Sequence, residues 1–585
     1  MANRYNLGDD ITRCVSCIRR WAGDTCRFQN LRSFYRDSTG KIVGLGFREE
    51  HKARDAPRLE FPNAWNTPIQ LKHLGQAGLV YRPRESDVRA TCDTCLTSIF
   101  SCSWMCRLCG REACAECFEQ VKKLTIEPAD ASEEELTDLH ALRDKHAHAN
   151  PAFLVCMKKK DHSAQHFLPM SRFSKIELSE VINAMEALSR VTGMPLPDVS
   201  VEDAAEHSLQ SKPSNGDGAQ TPLDAAPSPI SNDSDVTMIC DGDSPSHPDV
   251  VPVASETNPE IPAHEIQRFR DSDLTEEIFR PLWAQGNPLL ITDVGRKLKI
   301  DWSPEYFMKK YGTESCLIIE CQSEINKRIT VAEFFSDFGN YDGRENCWKL
   351  KDWPPSSDFK TSFPELYEDF SQAVPMPSYV RRDGALNIAS HFPSNTVGPD
   401  LGPKMYNANA NRVAGTKGST RLHMDMADAL NIMTYAAPDP EGKEGSAAWD
   451  LFRAQDSDQI RKFLRVKFAI TALDPIHSQQ VYLDDDSRRE LWEKHGVKSY
   501  RVYQKAGEAV FIPAGCAHQV RNLSDCIKVA IDFVSPENIA RCEKLTREFR
   551  EQNHTKAWKE DVLQLRTMMW FAWLSCCRQE RLAAS

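Results

Sequence analysis

Thr420-Arg-Leu-His423-Met-Asp425 and Gly507-Glu-Ala-Val-Phe-Ile-Pro513-Ala-Gly-Cys-Ala-His518 are the two stretches that decide how this chain is read. In an extended strand, positions two apart share a face, so His423 and Asp425 can reach one point inside a barrel. A His-x-Asp by itself is common. The second stretch raises its meaning, because a short apolar strand there meets a Pro-Ala-Gly turn and a histidine opens the next strand. Two histidines and one carboxylate on one metal form the facial triad of non-haem Fe(II) oxygenases, which leaves positions open for cosubstrate and O2. A double-stranded jelly-roll barrel is the all-β architecture that gathers strands so distant in sequence.

The next strand, Ile527-Lys-Val-Ala-Ile-Asp-Phe533, alternates: Ile527, Val529, Ile531 and Phe533 take one face, Lys528, Ala530 and Asp532 the other. Lys528 lies an even number of residues after His518, so a regular strand would turn both into the cavity. A buried lysine needs an anionic partner. Two partners stand open: the distal carboxylate of 2-oxoglutarate, or Asp532 on the same face. Thr420 could donate its hydroxyl to the same cosubstrate carboxylate, and Asn431 is next in line.

Eleven of the twenty cysteines lie between Cys14 and Cys156. Cys92-x2-Cys95, Cys106-x2-Cys109 and Cys114-x2-Cys117 are three pairs, each spaced so that a tight knuckle aims both sulfurs at one ion. Three pairs cannot fill two tetrahedral zinc sites, and Cys156, His162 and His166 are the nearest further donors. Two interleaved zinc ions sharing these ligands is the arrangement expected; Cys102 breaks the spacing. Upstream, Cys14, Cys17 and Cys26 sit among arginines, with His51 as a candidate fourth ligand. Those arginines could contact nucleic-acid phosphates, or form a solvated basic face.

Residues 199–262 hold twelve acidic residues and one basic, −11 of the chain's −12, so the remainder carries −1 and says nothing about a partner. The segment is rich in Ser, Pro, Asp and Ala and cannot bury enough apolar surface to order itself. The expected organisation is a small basic cysteine module (1–60), a zinc-binding domain with a trailing helix near Ser179–Thr192 (85–198), the acidic linker (199–262), a catalytic domain (263–540) and a helical tail (541–585). The run Met568 to Cys577 is too short to span a bilayer, so no membrane association is expected. The N-terminus lacks an apolar core, so secretion is not expected either and the thiols read as metal ligands.

With these residues in view, the C-terminal half resembles the JmjC histone lysine demethylases, specifically the hairless-related subfamily acting on lysine nine of histone H3. The matching text includes Trp348-Lys-Leu-Lys-Asp-Trp-Pro-Pro, Pro399-Asp-Leu-Gly-Pro-Lys-Met-Tyr-Asn, Leu422-His-Met-Asp-Met-Ala-Asp-Ala-Leu-Asn-Ile-Met, Asp474-Pro-Ile-His and Cys526-Ile-Lys-Val-Ala-Ile-Asp-Phe-Val-Ser-Pro-Glu-Asn. The six-cysteine region with Trp104 resembles the zinc-binding segment of that subfamily. The resemblance implies a cupin-like JmjC barrel with flanking helices and a zinc-stabilised N-terminal module. It implies His423, Asp425 and His518 as iron ligands, 2-oxoglutarate as cosubstrate, a histone tail as partner and a nuclear location. N-methyl hydroxylation with loss of formaldehyde, from mono- and dimethyl-lysine, is the implied reaction. Many relatives carry a cosubstrate lysine about 17 residues after the first metal histidine; Pro440 stands there in this chain, which favours Lys528. Two other readings stay open: a protein hydroxylase of the same iron chemistry, and a chromatin scaffold or ubiquitin ligase working through its zinc module.

Overall fold

The alternating strand around Lys528 forms from Cys526 to Phe533 and lies near the middle of a nine-stranded sheet. In a computed structural model of the protein, described residues are 32–39, 42–47, 73, 76, 78–82, 89–127, 131–149, 163–192, 261–350, 353, 358–394, 396–411, 418–471, 474–551 and 561–584. The Cys14, Cys17 and Cys26 module, His51, Cys156, His162 and nearly all of the acidic segment lie outside these residues. The described residues on either side of 194–260 form one compact unit.

The large sheet runs, in spatial order, Asn326–Thr330, Ser315–Glu320, Trp348–Leu350, Lys404–Ala408, Cys526–Phe533, Asp428–Ala436, Ala509–Ile512, Leu289–Thr292 and Gln267–Arg270. A second sheet of four strands, Thr420–His423, His518–Asn522, Ser446–Phe452 and Ser499–Lys505, faces it. Between them lie Leu290, Ala429, Met433, Val510 and Ile512 from one sheet and Ala447, Trp449, Leu451, Val502 and Val520 from the other. This is the double-stranded jelly-roll barrel. The outer face of the large sheet, with Ile527, Val529, Ile531 and Phe533, is buried under flanking helices that supply Phe279, Trp283, Phe307, Phe335 and Phe370. Both faces of that sheet are therefore covered, which is why its central strands read as nearly continuous apolar runs.

The Pro-Ala-Gly segment is a tight turn closed by Cys516 N–H donating to the Pro513 carbonyl at 3.1 Å. Gly515 sits at φ +86°, the left-handed value that the third position of such a turn demands. The turn delivers His518 as the first residue of its strand.

In the N-terminal region, four short strands (Val80–Tyr81, Phe167–Ser171, Ser103–Cys106 and Glu112–Ala113) form a separate sheet, followed on one side by the helix Ala115–Thr125. The trailing helix runs Lys175–Thr192, four residues earlier at its start than its apolar periodicity suggests. The tail comprises the helices Ile539–Glu551 and Leu565–Ala584. Rather than standing apart, the tail packs on the cysteine region: Trp570 meets Phe100 and Phe173 at ring distances of 5.7 and 4.7 Å. No helix among the described residues is long and apolar enough to cross a membrane.

Candidate metal centres and the lysine between the sheets

His423 ends one strand of the small sheet and His518 opens its antiparallel neighbour, where the two are directly opposed. Their rings are 4.2 Å apart. Asp425 lies beyond the strand Thr420–His423, in the loop leading to Asp428–Ala436, so the shared-face argument for a regular strand does not describe how it arrives. The chain turns there and swings the carboxylate back. Its oxygens come within 3.7 Å of His423 Nε2 and 3.6 Å of His518 Nε2. One ligand atom from each residue lies within 4.8 Å of the others, a spacing that fits a single ion.

The histidines are also oriented for that task. His423 Nδ1 lies 2.8 Å from the Arg421 carbonyl and His518 Nδ1 lies 3.0 Å from the Cys516 carbonyl. With Nδ1–H donated to a carbonyl, the Nε2 lone pair of each ring is free to face the centre. Burial, aided by His423, lowers the His518 pKa to about 4, which keeps the ring neutral as a ligand must be. The Asp425 side chain retains 33% of its exposure and that of His423 16%, so the centre opens on one side. An open position is what a catalytic metal needs.

Lys528 points between the sheets, on the inner face shared with Met433, Ala530 and Asn431. It is 4% exposed. Its ammonium donates to Asn522 Oδ1 at 2.6 Å and stands 5.6 Å from the centre of the Trp449 ring. No carboxylate among the described residues pairs with it. Asp532, the alternative partner, is 3.5 Å from Lys404 instead, on the same face. The pairing of Lys528 with Asp532 is thereby overturned: an i, i+4 spacing on a strand places side chains roughly 13 Å apart, unlike the one-turn neighbours of a helix. Burial lowers the Lys528 pKa to about 8, as expected for a cation lacking an anion. The residue count from His518 reached the right face by a different route, since the two residues sit on opposite sheets joined by the Leu523–Asp525 turn.

Asn431 is 6% exposed, and its side-chain carbonyl has no hydrogen-bond partner. Thr420 faces Val520 three residues before His423 and is half-buried. Trp449, 6.0 Å from the His518 ring and stacked with it, and Asn522 complete the surroundings. Neither carried a motif. Only the strand that each occupies reveals it.

The second gathering is thiol. Cys92, Cys95, Cys114 and Cys117 converge, all buried, with ligand atoms within 4.8 Å of one another. The first and third pairs thus share one point, and Cys106 and Cys109 stand outside it. Backbone N–H groups of Thr94, Cys95 and Cys114 aim at Cys92 Sγ at 3.4, 3.5 and 3.2 Å. Cys114 caps the helix Ala115–Thr125 and Cys117 lies in its first turn, so both face the positive end of the helix. Hydrogen bonding from Cys114 draws the Cys95 thiol well down, and burial pushes the Cys92 thiol well up. His166 stands beside the other pair: its carbonyl accepts from Arg107 N–H at 2.8 Å, and the following residue, Phe167, is in register with Cys106. Cys102 is buried outside the four-thiol group.

A metal-binding jelly-roll of this kind defines a class of oxygenase domain, and the comparisons narrow it. Residues 415–533, which contain His423, Asp425 and His518, match the family model described as JmjC domain, hydroxylase. The chain is 37% identical to lysine-specific demethylase 3 of Drosophila melanogaster over 345 residues, covering 51% of this chain and 40% of that protein. It is 38% identical to human lysine-specific demethylase 3A over 339 residues, 50% of this chain and 26% of the relative. Lysine-specific demethylase JMJ29 of Arabidopsis thaliana is 33% identical over 364 residues, 49% of this chain and 41% of that one. The matches thus span less than half the length of these relatives.

Proposed function

We propose that this protein is an Fe(II)- and 2-oxoglutarate-dependent oxygenase that removes methyl groups from histone lysine, at lysine nine of histone H3 in its mono- and dimethyl forms. The observation that carries the reading is the pairing of an open His423, Asp425 and His518 triad with a buried ammonium, Lys528, that has no carboxylate partner among the described residues. The donor set suits iron, and Lys528 suits the distal carboxylate of a keto acid. Asn431 and Thr420 are the further contacts. When bound, iron and 2-oxoglutarate supply the oxidation that converts an N-methyl group and O2 into formaldehyde and free amine, with succinate and CO2.

The chain's own residues do the rest. Nδ1–H donation to the Arg421 and Cys516 carbonyls holds both imidazoles in the ligating tautomer. Trp449 and the apolar residues between the sheets keep water from the floor of the cavity, which strengthens the hold of Lys528 on a carboxylate. The four thiols Cys92, Cys95, Cys114 and Cys117 hold zinc, and Cys106 and Cys109 hold a second ion with donors from Cys156, His162 and His166. A nuclear location and a histone-tail partner follow from the substrate; contact with DNA through the N-terminal arginines is the further expectation. The named relatives favour demethylation over hydroxylation of a carbon that bears no nitrogen. Incubation with methylated H3 peptides, Fe(II) and 2-oxoglutarate tests this. Formaldehyde and succinate released together support it, and succinate with a hydroxylated, still methylated peptide points to the hydroxylase.

A further inference from the structure

Helix Ile539–Glu551 follows the barrel's last strand, yet its Arg550 reaches back to the four-thiol group. The guanidinium Nη2 donates to Cys117 Sγ at 3.4 Å, across 433 positions of sequence. Arg550 pairs with no carboxylate among the described residues, and its buried Nε has no acceptor. Three sulfurs, those of Cys114, Cys117 and Cys95, lead the groups that act on this guanidinium, with the Glu116 carboxylate after them. Four thiolates around a divalent ion leave a buried dianion, which is costly unless cations or N–H donors compensate. Three backbone donors, from Thr94, Cys95 and Cys114, address Cys92. Arg550 addresses a different sulfur, that of Cys117.

A second link lies close by. Asp561 Oδ2 accepts from Ser98 N and Ser98 Oγ at 3.0 and 2.6 Å, and Asp561 N–H donates to the Leu96 carbonyl at 3.0 Å. Leu96 is the residue directly after Cys95 and adopts a left-handed φ of 57°, part of the first knuckle. The other oxygen of Asp561 accepts from the N–H groups of Leu563 and Gln564, at the start of the helix Leu565–Ala584. One carboxylate therefore joins the thiol knuckle to the helix that packs by Phe571 on Phe392, 5.1 Å away.

Resting on the zinc reading above, we propose that Arg550 is the counter-cation of the zinc–thiolate centre, and that with Asp561 it couples zinc occupancy to the docking of the C-terminal helices. Arg550 is a positioning residue here, because it touches a metal ligand and not the reacting atoms of the barrel.

The test uses the full chain. Zinc content is measured by elemental analysis, and zinc release to a chromogenic chelator is timed for the parent, Arg550→Gln and Arg550→Lys. Loss of a contact to a metal ligand typically weakens metal affinity roughly ten- to hundredfold. Arg550→Gln should release zinc faster by about that factor, and Arg550→Lys, which keeps the charge, should restore most of the retention. Hydrogen exchange on the parent supplies the arm that needs no variant: removing zinc should speed exchange across 565–584 and leave the strand Asp428–Ala436 protected. A Gln variant that holds zinc as the parent does, or exchange across 565–584 indifferent to zinc, overturns the coupling while leaving the zinc reading intact. A parent chain that contains no zinc overturns both.

Discussion

The triad in the barrel and the thiol group in the N-terminal region each gather metal-ligating side chains within 4.8 Å, yet they are built in opposite ways. The four cysteines are all buried, match in number the ligands of a closed tetrahedral site, and three N–H donors converge on one of them, Cys92. In the triad, only His518 is fully buried, and three candidate ligands would leave coordination positions free. The difference teaches what burial and ligand count decide: a closed set of four fixes structure, and an open set of three can exchange reagents. The surroundings follow suit. The cation beside the thiols, Arg550, donates to a sulfur, whereas the one deep in the barrel, Lys528, meets a neutral amide and the Trp449 ring and pairs with no carboxylate among the described residues.

That contrast breaks most sharply at the triad. His423→Ala or Asp425→Ala should abolish formaldehyde release and iron binding while the thermal midpoint stays near that of the parent. Loss of folding in step with loss of activity would place the triad among the structural sites and erase the distinction.

Next in size is the thiol group. Stripping zinc with a chelator, or replacing Cys95 by Ser, should unfold the cysteine region, because structural zinc contributes on the order of 10 kcal/mol to small domains. About two zinc ions per chain is the expected content. Full tryptic resistance of 89–127 after chelation would contradict it.

Lys528→Ala sharpens the comparison within the barrel. Removing one member of a buried charge pair costs about 3–5 kcal/mol, so the KM for 2-oxoglutarate should rise on the order of a hundredfold or more. The KM for peptide should change little. Arginine should rescue poorly, since its planar fork needs more room than a point charge. Asp532→Asn should leave the cosubstrate constant alone, because Asp532 faces Lys404; a selective cosubstrate defect in that variant would reassign the anchor.

The smallest effect separates the two regions by pH. Burial alone would raise the Glu112 pKa, but Arg172 at 2.7 Å, with Arg82 and Ser103, brings it down to about 2. A depressed carboxylate pKa stabilises above the unfolded value near 4.5, and that contribution is lost as pH falls toward 2. Acid unfolding of the N-terminal sheet, followed by hydrogen exchange between pH 5 and 2, should therefore lose its steepest part in Glu112→Gln. An unaltered profile would show that other groups govern the acid limb.

Local spacing carried far in this chain. His-x-Asp, the Pro-Ala-Gly turn and the Cys-x2-Cys pairs are read within a few residues, because a turn or knuckle of that length has few geometries. The alternation of Ile527 to Phe533 marked a strand with one face in a core, and the flanking cluster shows that core. What the residues could not disclose is which distant elements meet. That His423 opposes His518 across a ladder, that Asp425 arrives from a loop, and that the first cysteine pair joins the third are outcomes of packing. Arg550 is the clearest case: its sequence neighbours form an ordinary amphipathic helix, and nothing in that helix points to thiols more than four hundred positions away. Sequence alone determined the ligand types and the chemistry they suit, since these depend on side-chain donors a few bonds from the backbone. Tertiary structure decided which donors come within reach of one another, which buried cation lacks a carboxylate among the described residues and which helix reaches the thiols, because charge interactions in a buried interior depend on distances through space and not on positions along the chain.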